Sequence, residues 1–172
     1  MHVIRISAAF VLLRAAVMAT LFISLWTWFV PRWMAGGVLR PHWSAGAIAL
    51  MAIGGAGMLK CVWDFARRGE GTPAPFDPPR KLVIAGLYRY VRNPMYVSMG
   101  ICLTGEALLL PAITRPMLIL IATMCLVITA LVMAYEEPAL RRQFGDDYAA
   151  YCRNVRRWIP RLTPFDNTRG RR

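Results

Sequence analysis

Apolar residues gather into four blocks separated by polar, strongly basic stretches. The blocks are Ile6–Val30, interrupted by Arg14; Ser44–Trp63, interrupted by Lys60; Pro94–Leu110, interrupted by Glu106; and Met117–Tyr135. A helix needs roughly 20 mainly apolar residues to cross the hydrocarbon of a bilayer, within a range of about 17–25. All four blocks are near that length. The pattern predicts an all-α, polytopic membrane protein in a single domain, 1–172. Residues 1–66 hold two transmembrane helices, 67–93 a cytosolic loop, 94–136 a transmembrane helical hairpin and 137–172 a cytosolic amphipathic tail helix. The first block is too long for a cleavable signal segment and ends in bulky Trp26, Trp28 and Phe29, which argues against removal.

Composition agrees with the pattern. The chain is 57% hydrophobic and 17% charged, with mean hydropathy +0.42, too little polar surface for an ordinary soluble domain of this size. The net charge of +12 is unevenly distributed. Arg5 precedes the first block; Arg67, Arg68, Arg80, Lys81, Arg89 and Arg92 lie between the second and third; a run from Arg141 to Arg172 follows the fourth. The opposite side carries Arg32, Arg40 and Arg115. This positive-inside bias predicts that both termini and the central loop are cytoplasmic. Topology and anionic headgroups account for the charge, so a nucleic-acid partner is not expected. Cys61, Cys102, Cys125 and Cys152 have no paired spacing, and His2 and His42 belong to no ligand cluster. Neither a disulfide framework nor a metal centre is expected.

Local signals refine the picture. Pro31–His42 is a short connection, and Trp33 and Trp43 suit an interfacial belt. Gly46, Gly54, Gly55 and Gly57 supply small residues for close helix packing. The prolines between Gly69 and Pro79 exclude regular helix or strand there. The six residues Pro111–Pro116 force an antiparallel hairpin that brings Pro94–Tyr96 and Glu136–Glu137 to one membrane face. Beyond it, Leu140, Phe144, Tyr148, Tyr151, Cys152 and Val155 recur at helical spacing opposite Arg141, Arg142, Asp146, Asp147 and Arg153. That predicts an amphipathic helix or helix pair over Pro138–Trp158, lying on the inner surface, interrupted near Gly145 and ended by Pro160.

Polar chemistry is densest at that shared face. Arg92, Tyr88, Tyr90 and Tyr96 have two readings each, as interfacial anchors or as ligand contacts. Glu136 and Glu137 close a helix C-terminus, where carboxylates oppose the macrodipole and each other. Glu136 reads as a ligand contact and Glu137 as a partner of the arginine-rich tail. Lys60 and Asp64 are spaced to pair on one helical face. Glu106, about 18 Å along its helix from Pro94, reads as a solvated group near the outer interface or a contact in a substrate tunnel. Arg156 and Arg157 read as contacts for anionic headgroups or an acidic substrate.

The segments Gly86-Leu-Tyr-Arg-Tyr-Val-Arg92-Asn-Pro-Met-Tyr96, Glu136-Glu137-Pro-Ala-Leu140-Arg-Arg-Gln-Phe144-Gly145-Asp-Asp-Tyr148-Ala-Ala-Tyr151 and Pro160 resemble the isoprenylcysteine carboxyl methyltransferase family, together with the related phospholipid N-methyltransferases. The likeness covers about residues 69–165. It implies a membrane-embedded methyltransferase that uses S-adenosyl-L-methionine, with cofactor contacts at Arg80, Lys81, Leu82, Val83, Tyr88, Asn93, Pro94, Met95, Tyr96 and Glu136. Arg92 is a further candidate, facing the cofactor carboxylate. The implied acceptor is a lipophilic or small amphiphilic carboxylate, amine or thiol. Two positions depart from the family pattern. Asn93 stands where the family often has His, so it does not titrate near neutral pH. Val132 stands where eukaryotic prenylcysteine enzymes place an arginine. Two rivals remain: a small four-helix exporter of cations built around Glu106, and a non-catalytic scaffold descended from the enzyme family.

Overall fold

A computed structural model of the chain describes residues 17, 21, 24–68 and 82–166. Most of the first apolar block, the proline-rich loop with Arg80 and Lys81, and the last six residues lie outside the described residues. The described residues are helical and include no strand. A π-helical turn, Leu25–Phe29, leads into helix α1 (Val30–Met34). Helix α2 (Ala45–Arg68), a 3₁₀ turn (Gly86–Arg89), helix α3 (Pro94–Leu109) and a second 3₁₀ turn (Pro111–Ile113) follow. Helix α4 (Thr114–Leu131) then passes through a π-helical turn (Val132–Glu136) into helix α5 (Glu137–Asn154).

Two of these helices are long and apolar enough to cross a membrane, Ala45–Asp64 and the continuous Pro111–Asn154. Helix α3 has 16 residues, about 24 Å at 1.5 Å per residue, less than the roughly 30 Å of hydrocarbon. Along α4, Leu118, Ile119, Leu126, Val127 and Leu131 are exposed, a surface suited to lipid and costly in water.

Helices α2 and α3 are antiparallel and pack along a seam of small residues. A Cβ at Gly54 would lie 2.5 Å from the Cys102 nitrogen and the Ser98 carbonyl. One at Gly105 would lie 2.6 Å from the Ala47 carbonyl and 2.8 Å from the Met51 nitrogen. Gly57 faces the Ser98 side chain. Backbone therefore meets backbone, the contact that small residues permit in lipid. Gly55 has nothing within 4 Å and Gly46 meets only its near neighbour Ser44, so half of the glycine set does the packing. At one end Ala107, Leu110, Ile113 and Met117 bury themselves against Met34, Ala35, Leu39, Leu120 and Ile121. The Thr114 hydroxyl donates to the Ala107 carbonyl at 2.7 Å, and His42 N–H to the Leu109 carbonyl at 2.7 Å. These contacts close the hairpin at the end away from the polar chemistry.

The tail differs from its expectation in three ways. It continues α4 without a break, although its backbone departs from helix at Gly145 (φ 50°, ψ −124°), the interruption expected there, with a positive φ that glycine takes without steric cost. It ends at Asn154, short of Pro160, because Val155 turns extended (φ −121°, ψ 127°) and the chain from there pairs with another segment. Its apolar face is covered by protein: Tyr148, Tyr151 and Val155 are buried among Leu82, Ile84, Leu140, Phe144, Cys152 and Phe165.

Candidate functional site

The tail and the loop before α3 are laced together by main-chain bonds that neither could make alone. Arg92 N–H donates to the Arg156 carbonyl, Arg161 N–H to the Tyr90 carbonyl and Phe165 N–H to the Arg89 carbonyl, each at 2.9 Å. Rising numbers on one side meet falling numbers on the other. Residues 155–166 thus form a strap running antiparallel to residues 89–92. Side chains extend the seam. Arg89 Nε donates to the Phe165 carbonyl at 2.8 Å, Asn93 Nδ2 to the Arg157 carbonyl at 3.2 Å and the Tyr151 hydroxyl to the Tyr88 carbonyl at 2.6 Å.

This loop is also seated on α2. Lys60 Nζ holds both Asp64 oxygens, at 2.5 and 2.6 Å, the pair expected from their spacing. Gly86 sits directly against that pair with φ +52°, where a Cβ would collide with the Asp64 carboxylate. Glycine is required there for space and for conformation. Tyr88 follows, and burial, reinforced by Cys61, Tyr151, Tyr96 and Asp64, raises its phenol well above the ordinary value. Tyr88 therefore stays protonated at any physiological pH.

At the centre the Tyr96 hydroxyl donates to Glu136 Oε1 at 2.8 Å. The first turn of α3 and the end of the α4 span meet through this bond. Glu136 is the last residue of the π-helical turn. Such turns insert an extra residue into the helical register and often occur at functional sites. Here the turn is followed by a second carboxylate with a different task. Glu137 is 7% exposed and accepts from Arg92 Nη1 at 3.1 Å, Arg157 Nε at 2.6 Å and Arg157 Nη2 at 3.0 Å. Burial alone would raise its carboxyl; the Arg157 hydrogen bonds and the charges of Arg92, Arg157 and Arg141 outweigh that and hold it below the ordinary carboxylate value. Arg92 Nη1 also reaches Cys152 Sγ at 2.9 Å, and its Nε is buried with no partner among the described residues.

The expected site residues therefore divide. Tyr88, Asn93, Pro94, Met95, Tyr96 and Glu136 cluster at this end, with Val83 buried beside Ala85 and Tyr88 and Leu82 packed on the tail tyrosines. Arg80 and Lys81 lie outside the described residues. The guanidiniums of Arg92 and Arg157 pair with Glu137, the partnership with the arginine-rich tail expected of that carboxylate. Arg156 is exposed and lends its carbonyl to the seam. Glu106 is ten residues from Tyr96, about 15 Å along α3, and stands apart from the cluster. It is 3% exposed, so solvation at an outer interface is overturned: Gly105 draws its helix face against Ala47 and Met51 of α2.

Sequence reading missed Trp158, whose ring lies 6.4 Å from that of Tyr96 at an interplanar angle of 58°. Its only signal was an aromatic residue after two arginines. An open concavity at the other end, lined by Pro111, Thr114, Arg115, Leu118, Ile119 and Ala122, offers no acid or aromatic group. Among the described residues no three His, Cys, Asp or Glu side chains gather as a metal site.

The arrangement is a partly buried carboxylate bonded to Tyr96, whose ring lies 6.4 Å from that of Trp158 on the strap. A carboxylate beside aromatic faces attracts cations, and scarce water strengthens both terms. Comparison with known proteins adds one finding: a family model described as phospholipid methyltransferase matches residues 43–147, more than half of the chain. No curated protein and no solved structure matches it.

Proposed function

The chain belongs to the phospholipid methyltransferase family, and from that premise we propose that it is an integral membrane enzyme moving a methyl group from S-adenosyl-L-methionine to an amphiphilic acceptor held in the bilayer. The observation that carries this reading is the Tyr96–Glu136 bond at the end of the paired spans. It sets an acceptor of cations on Tyr96, the residue whose ring neighbours Trp158 of the strap. The cofactor brings an electrophilic methyl on a sulfonium, and it has an ammonium and ribose hydroxyls for the protein to hold. Glu136 is matched to the ammonium or the hydroxyls, and Tyr96 orients the carboxylate. Tyr88, Tyr96 and Trp158 offer the flat faces that adenine or a sulfonium prefers, while Leu82, Val83, Asn93, Pro94 and Met95 shape the wall with Arg80 and Lys81 at its edge.

Several groups are free of proton-transfer duty. Asn93 uses its amide on the Arg157 carbonyl and cannot titrate, and Tyr88 is held protonated. The protein's contribution is alignment of acceptor, methyl and sulfur in a water-poor site. The family description favours a phospholipid headgroup, hence an amine, over a carboxylate or thiol. Val132, buried at the start of the π-helical turn, supplies no cation for a prenylcysteine carboxylate. The arginine bias supports a site end facing the cytoplasm, with the cofactor arriving from water and the acceptor from the lipid side.

Calorimetry with S-adenosyl-L-methionine and S-adenosylhomocysteine on detergent-purified protein, alongside Glu136→Ala, tests the reading. Saturable micromolar binding that the variant loses is the expected result. Folded wild-type protein that binds neither compound would sink it.

A further inference from the structure

Glu136 and Glu137 are adjacent in sequence yet differ in their contacts: Glu136 accepts from Tyr96, whereas Glu137 accepts from Arg92 and Arg157. Its two oxygens take three donors from two chain segments that are 64 residues apart or more: Arg92 at the start of α3 and Arg157 in the strap. The Arg157 bonds are fork-like, two nitrogens on two oxygens, the strongest form of such a contact. On either side of the ion triad the same segments are joined again, by Arg92 N–H on the Arg156 carbonyl and Asn93 Nδ2 on the Arg157 carbonyl. The contents of the seam matter as much as its strength. Four residues after Arg92 comes Tyr96, the donor to Glu136. One residue after Arg157 comes Trp158, the ring beside Tyr96.

We propose that Glu137 is a positioning residue: it clamps the Arg92 segment and the 155–166 strap together and so sets Tyr96 and Trp158 around Glu136. The inference rests on the cofactor reading of Glu136. It also accounts for two arginines in a polar cluster where neither side chain is free for substrate. Glu137→Gln keeps the shape and removes the charge, so the two guanidiniums lose their common anion and repel each other. The strap then loosens from the loop while the α2–α3 seam, which shares none of these contacts, keeps its packing.

The test combines two readouts on full-length protein in detergent. Hydrogen exchange of peptides covering 155–166 reports the strap, and calorimetric affinity for S-adenosylhomocysteine reports the site. In Glu137→Gln the strap exchanges at least tenfold faster, peptides of α2 are unchanged, and the dissociation constant rises at least tenfold. Arg157→Gln, which leaves Glu137 its Arg92 partner and serves also if the first variant fails to fold, moves both readouts in the same direction. The double variant is no weaker than the weaker single, because the contact that Arg157→Gln removes is already lost in Glu137→Gln. Affinity unchanged in Glu137→Gln, whether the strap stays protected or loosens, overturns the positioning role and leaves the cofactor reading intact. Losses that simply add in the double variant overturn it too. Absence of S-adenosylhomocysteine binding by folded wild-type protein removes the cofactor reading itself, and the positioning role with it.

Discussion

The α2–α3 seam and the strap seam hold the molecule by opposite means. At the first, glycines bring backbones so close that a Cβ at Gly54 or Gly105 would sit within 2.6 Å of main-chain atoms. At the second, charges and main-chain bonds join segments distant in sequence. A seam built on volume tolerates any charge change elsewhere and no added atom. A seam built on charge and directionality responds to lost charge, even by isosteric exchange, and to pH. The two seams therefore fail under different substitutions, and that separates folding from function experimentally.

The largest expected effect is at the first seam. Gly54→Leu drives a side chain into the backbone of Ser98 and Cys102, which cannot give way as a flexible side chain would. The cost exceeds the roughly 1–3 kcal/mol usual for overpacking, and size-exclusion in detergent should show aggregated or unfolded protein. Recovery of a monodisperse, thermally normal variant would mean that the helices do not meet there.

Acid should act next, at the strap. Glu137 titrates below its ordinary value of 4.5, so its clamp contributes in full above that pH. The contribution is lost as the pH falls through the lower folded value. The groups facing it are Arg92, Arg157, Arg141 and Tyr148. The thermal midpoint of the wild type should drop more steeply between pH 5 and pH 3, about the carboxylate range, than that of Glu137→Gln. Parallel curves would remove Glu137 from the account.

Smaller again is Tyr96→Phe. It deletes the donor to Glu136 and keeps the ring beside Trp158. A hydrogen bond to a charged group is worth about 1.5 kcal/mol or somewhat more, about a tenfold loss of affinity for S-adenosylhomocysteine with little change in thermal midpoint. A full loss of binding would show that the phenol contacts the ligand directly.

The smallest effect sharpens the comparison most. Gly55 is next to Gly54 but has nothing within 4 Å, so Gly55→Ala should leave stability unchanged or raise it by up to about 1 kcal/mol through helix propensity. Destabilisation on the scale of Gly54→Leu would place a further partner on that face.

Much of this was legible before any coordinates. Runs of apolar residues near 20 long specify helices, because backbone polar groups in lipid must be satisfied within the segment. The short Pro111–Pro116 link dictates a hairpin, and Lys60 with Asp64 is a one-turn pair. Both are local relations, set by helical rise and by the reach of a few residues. Glu136, Tyr96 and the loop before α3 were named from motif and placement, and the structure brings Tyr96 and Glu136 into contact. Other features had no local signal. Which glycines face α3 depends on the rotation of α2 about its axis, which a stripe of small residues on more than one face leaves open. Glu106 is polar in sequence, yet its burial was decided by where Gly105 lets α3 approach α2. The strap was invisible for a different reason. Val155 to Asp166 has no periodicity of its own, and its bonds run to carbonyls and nitrogens of residues 89–92 that look the same in any sequence. Sequence by itself determined the all-helical character, two apolar helices long enough to cross a membrane, the turn between α3 and α4 and the polar character of one end, because those follow from local spacing and transfer of apolar residues into lipid. Only the tertiary structure decided that the tail returns across the site and that one of two adjacent glutamates meets Tyr96 while the other ties two arginines. Backbone hydrogen bonds and ion pairs between distant segments depend on proximity, and proximity exists only in the folded chain.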